Sequence, residues 1–165
     1  MTLIRPILAC LATAASLLTG TAVFAQTAPA PYGAPITIEQ AKKVMVVAEA
    51  EARKNNWPVV ISIVDSGGHR VVLQRLDAQT ASIDISIGRA TTAAAFRRPS
   101  KALEDGLAAG SASLRILNVR AATALQGGVP IVVDGIIIGG TGVPGVLASQ
   151  DELVAMAGTA AAAAK

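Results

Sequence analysis

VVISIVDSGGHRVVLQRL, residues Val59–Leu76, is the stretch on which the fold turns. Val59-Val60-Ile61-Ser62-Ile63-Val64 is apolar and mostly β-branched, so it predicts a strand buried largely on both faces. Asp65-Ser66-Gly67-Gly68 has turn chemistry, and His69 to Leu76 returns as the second strand of a hairpin. A hairpin this early makes the sheet antiparallel.

The rest of the chain repeats the theme. Val129–Val133 and Ile136–Gly140 flank Asp134-Gly135, the strongest hairpin turn signal in the sequence. Thr37-Ile38-Glu39-Gln40 is a capping box, and Ile38, Ala41, Met45, Ala48 and Ala52 form one helical stripe behind it. That helix should stop before Asn55-Asn56-Trp57-Pro58. Thr80 or Ser82 can cap a second helix with Ile83, Ile87, Ala90 and Ala94 inward, ended by Pro99. Ser100 opens a short third helix through about Leu107, and Ser149-Gln150-Asp151-Glu152 reads as a capping box for a last one. Ser111–Leu125 is ambiguous, and a turn of helix followed by an edge strand near Thr123 is expected. Thr141–Gly145 reads as a loop. Hairpins with helices before, between and after them give an α+β fold, not a doubly wound parallel sheet.

Residues 1–25 read as a cleaved signal peptide. Arg5 is a short basic start, Ile7–Val23 carries no charge, and Val23-Phe24-Ala25 fits the small-x-small cleavage rule. A membrane anchor would need a longer and more apolar run. Cleavage leaves 140 residues, a single domain. Residues 26–35, with three prolines, read as a flexible leader before a single domain over 36–165. The only cysteine, Cys10, falls inside the cleaved segment, so the mature chain has no disulfide and no thiolate metal site. The net charge of +3 is spread without a basic run and aromatics are 2%, which excludes the usual footprints of nucleic-acid binding.

Few residues offer chemistry. His69 is the only histidine. It can serve as a metal ligand or, with Asp65, as an acid/base pair; it can also simply satisfy a hairpin corner. Asp65, Asp77 and Asp84 read first as turn or cap residues. Arg75, Arg89 and Arg97 have the guanidinium fork that suits a carboxylate guest, or an internal ion pair. The glycines of Gly139–Gly145 admit either a ligand near the backbone or close helix packing, and they match neither phosphate-loop spacing. No serine has a nucleophile-elbow context.

Val64–His69, Arg75-Leu76-Asp77, Arg89-Ala90-Thr91-Thr92-Ala93-Ala94, Gln126–Ile131, Gly140–Val143 and Gln150–Ala155, taken in order, resemble the GlcG/HbpS family over about Ile36–Ala164. The resemblance implies a profilin-like three-layer α/β/α sandwich around a five-stranded antiparallel sheet. It also implies homo-oligomers, and a relation to the domain that ends some corrinoid adenosyltransferases. Exported members bind haem, and some bind iron and signal to a membrane sensor kinase. Residue by residue, the family's first-helix histidine falls near Glu39. Its threonine ligand falls at about Ala122, beside Thr123, and its paired-glutamate iron motif near Asp84 and Ile87. For a bound haem the axial candidates are His69 and Thr123, then Met45, and Arg75 and Arg89 are candidates for its acidic groups. His69 and Asp84 are the metal candidates. A periplasmic or secreted haem binder is the expected function. An enzyme using His69, Asp65 and Arg75 on a small oxidised metabolite, or a ligand-free assembly module, are the alternatives.

Overall fold

The computed structural model describes residues 28–163, and the expected signal peptide lies outside them. Four strands form one antiparallel sheet: β1 (Val60–Asp65), β2 (Arg70–Arg75), β3 (Gly128–Val133) and β4 (Ile136–Gly142), in the order β2-β1-β4-β3. The two hairpins meet through β1 and β4, with Ser62 opposite Gly142 and Asp65 opposite Gly139. At the second turn Asp134 (φ 51°) and Gly135 (φ 75°) both lie in the left-handed region, as a type I′ hairpin turn requires.

Strand alternation sorts side chains to two faces. Ile61, Ile63 and Ile131 join the main core with Ala41, Val44 and Met45 of helix α1 (Ile38–Lys54) and Val154 and Ala155 of helix α4 (Ala148–Ala160). Val64 faces the other way and packs on Ala90 and Ala94 of helix α2 (Ser82–Phe96). The result is three layers, with α1 and α4 on one face and α2 on the other. Small residues set the distance on the α2 side. A Cβ at Gly140 would collide with the Ala90 carbonyl, and one at Gly142 with the Ser86 carbonyl.

The capping box of Thr37 and Gln40 forms in both directions, at 3.0 and 3.2 Å. Other expectations need correction. The sheet of the described residues has four strands rather than five, because Ser111–Asn118 is a 3₁₀ helix and the chain around Thr123 lies on α2 instead of pairing with a strand. Neither Thr80 nor Ser82 caps α2 by its side chain. Ser100 precedes helix α3 (Lys101–Ala109) but its hydroxyl serves a distant loop, bonding Leu125 O (2.6 Å) and accepting from Gly128 N (2.8 Å). The last helix starts before Ser149, and Gln150 instead accepts from Leu147 N. The inward face of α2 is polar and small, with Ser82, Ser86, Arg89 and Thr92 buried and Ile83 and Ile87 only partly covered.

Part of the expected flexible leader is fastened. Ile137 N donates to Pro31 O, Gly33 N to Ile137 O and Ile36 N to Ile138 O, each at 2.9 Å. These residues take up the edge of β4 beyond the point where β1 ends, so backbone groups that β1 leaves open find partners.

Candidate functional site

The β1–β2 turn presents His69 to solvent. Asp65 builds that turn: its Oδ1 accepts the backbone N–H groups of Gly67 and His69, each at 2.9 Å. The same oxygen lies 3.4 Å from His69 Nδ1, and the imidazole side chain is 84% exposed. Asp65 approaches the ring from its Nδ1 side, so Nε2 is the nitrogen left for a guest. Gly68 (φ 84°) closes the turn and touches Thr91 of α2, whose Oγ1 donates to Gly68 O at 3.3 Å.

A second segment borders the same corner. Ser66 Oγ donates to Gly33 O at 3.2 Å, which holds the fastened leader against the turn. Beside it, the Tyr32 hydroxyl donates to Ala95 O at 2.7 Å, with Ala94 O at 3.1 Å, at the C-terminal end of α2. Arg97 follows that helix end in a left-handed conformation (φ 55°) and lies over the Tyr32 ring, 5.4 Å from its centroid.

The other expected site residues are elsewhere. Arg89 is buried: its Nη1 bonds Asp151 Oδ2 at 2.8 Å and also the Val143 carbonyl, while its Nε has no partner. Asp151 in turn accepts from Val146 N at 3.0 Å. Burial pushes the Asp151 carboxyl above its ordinary range, against the pull of the Arg89 hydrogen bond. This pair ties α2 to the start of α4, so Arg89 is internal and does not meet His69.

Arg75 stands at the far end of β2, five residues or about 17 Å from Arg70, and its Nε is spent on Ala78 O at 2.7 Å. Thr123 is pressed on Gly88, with its N–H on Thr92 Oγ1 at 2.7 Å. It is packed on α2, not aimed at the imidazole. Met45 is core. Asp84 is an exposed first-turn residue of α2, and the described residues contain no group of three His, Cys, Asp or Glu able to hold a metal ion.

Nor does the glycine strip of β4 enclose a cavity. Gly139 abuts the Val64 carbonyl, and Gly140 and Gly142 abut α2, so the strip is closed by backbone. Two surface hollows lie away from His69. One of about 270 Å³ is lined by Arg53, Trp57 and Asp77, and one of about 280 Å³ runs between β3 and α4 by Pro130 and Met156.

A family model described as "Haem degrading protein HbpS-like" matches residues 36–160. The chain is 40% identical over 106 residues to protein GlcG of Escherichia coli K12, covering 64% of this chain and 78% of that protein. The crystal structure of Klebsiella pneumoniae protein ORFY superposes with a TM-score of 0.74 at 27% identity, over 86% of this chain and 99% of that one. The haem complex of PduOC superposes with a TM-score of 0.70 at 30% identity, over 77% and 94%.

Proposed function

Since the chain belongs to the HbpS-like family, we propose that it binds haem or a related tetrapyrrole, with His69 as the axial ligand. The observation that carries this reading is the one imidazole of the chain, 84% exposed at a glycine turn with Asp65 Oδ1 3.4 Å from its Nδ1. A relative of the same fold, PduOC, is known as a haem complex.

The exposed imidazole is reachable by a haem from outside the sheet. The residues do not fit one clamped between His69 and Thr123, because Thr123 is packed on Gly88. Bound haem supplies an iron centre able to change oxidation state. This chain's part would be to offer the His69 imidazole and to hold it through the Asp65 turn, with storage, delivery or redox sensing as the proposed roles.

The proposal extends to an exported protein of the periplasm or extracellular space, following the reading of residues 1–25. It also includes a homo-oligomer, with a sensor kinase as a further partner. Exposed Leu114, Leu117, Val119 and Leu125 supply apolar surface for such an assembly.

Hemin titration of the purified chain tests the central reading. The wild type should give a saturable Soret shift at micromolar hemin that His69→Ala moves or abolishes. A stable shifted band means the haem is held, and a band that bleaches with time under a reductant means it is consumed. A wild type with no saturable shift overturns the proposal.

A further inference from the structure

We propose that Tyr32 and Arg97 form a carboxylate-receiving edge of the His69 corner, so that its guest is a flat ring bearing acidic substituents. The inference rests on the haem reading and names what that reading leaves open: which groups meet the acidic side chains of the tetrapyrrole.

Three contacts bring the turn that carries His69, the leader that carries Tyr32 and the end of α2 together. The turn carrying His69 touches α2 at Thr91. The leader carrying Tyr32 touches the turn at Ser66. Tyr32 then touches α2 at Ala95, one helical turn beyond Thr91. Turn, leader and helix end therefore meet in pairs around a single corner.

Apart from Asp65, whose carboxylate is taken up by the N–H groups of its own turn, the charges around this corner are basic. Among the described residues, no carboxylate pairs with Arg97, nor with the exposed Arg70 and Arg98 nearby in sequence. Tyr32 is the only tyrosine of the chain and is 48% exposed. It offers an aromatic face next to a guanidinium already oriented by it. Arg97 also stands where a helix usually ends in glycine, because φ 55° is unfavourable for a side chain. Its side chain is engaged there: the guanidinium lies over the Tyr32 ring and its Nη1 donates to Ala30 O at 3.5 Å, which leaves the rest of the fork for a guest. Complementing the helix dipole is one use of that side chain, but it needs only a positive charge near the last carbonyls. It does not call for a planar fork stacked on an exposed ring.

The test compares hemin with hemin dimethyl ester, whose carboxylates are masked, on the wild-type chain and on Arg97→Gly and Arg97→Gln. The glycine variant relieves the left-handed backbone and so keeps a folded protein. The wild type should prefer hemin over its diester by about tenfold, the worth of one charge-assisted hydrogen-bonded pair. Both variants should lose that preference while keeping the wild-type affinity for the diester. Equal wild-type affinities for the two, or a preference that survives in both variants, overturns the edge. In either of those cases, a Soret shift sensitive to His69→Ala leaves the haem reading standing. No saturable shift with hemin itself removes both.

Discussion

Arg89 and Asp151 sit 62 residues apart and meet at 2.8 Å in the interior. Desolvation makes such a pair a weak source of net stability, but removing one partner leaves the other charged and buried. Arg89→Met should therefore cost about 3–5 kcal/mol at neutral pH. The pH dependence follows from Asp151, whose ordinary value of 3.8 is raised in the fold by burial. Between the two values the folded chain holds more protons than the unfolded one, so this carboxyl's contribution to stability falls as pH rises. Loss of Arg89 removes the opposing pull and widens that window. The deficit of Arg89→Met should be largest near neutrality and shrink as pH is lowered and Asp151 takes up a proton. Denaturant midpoints of both proteins across that range check it, and a deficit that grows on acidification would be the contrary result. The sequence shows why this pair is hard to foresee. Asp151 looks like part of a local capping box and Arg89 like a ligand residue, since nothing within a short window tells which distant partner each will find.

Elements were legible wherever their signal was local. Asp134-Gly135 and the β-branched run Val59–Val64 each specify their structure within a few residues, and both hairpins form where expected. Ser100 opens α3 as expected, but long-range contacts decide its hydroxyl, which holds the loop before β3, and Thr123, which is held by Thr92. The glycine strip allowed two readings, ligand approach or tight packing, and contact between α2 and β4 chooses the second. Gly142→Ala tests that choice. A methyl group there meets helix backbone rather than a side chain able to move aside, so the variant should lose about 3 kcal/mol, the upper end for overpacking. A denaturant midpoint within error of the wild type would mean that the strip has room after all.

Over the whole molecule, the layered architecture and the family were within reach of the sequence, while the site was only half legible. His69 could be found because it is the one histidine of the chain. The corner around it could not, because Tyr32 belongs to a proline-rich stretch with no periodicity and reaches α2 across more than 60 residues. Arg75, by contrast, lies near His69 in sequence yet at the opposite end of β2. A strand carries residues apart at about 3.3 Å per step, so closeness along the chain is a poor guide to closeness in a site.

A single histidine also makes the central claim open to a one-site label. Untagged protein grown with ¹⁵N-histidine, loaded with ferric haem and examined by pulsed EPR reports directly whether that imidazole touches the iron. Iron held through Nε2 of His69 predicts a strong ¹⁵N hyperfine coupling that is absent from the His69→Ala protein. A loaded, spectrally uniform complex showing only the ¹⁴N couplings of the porphyrin would contradict it.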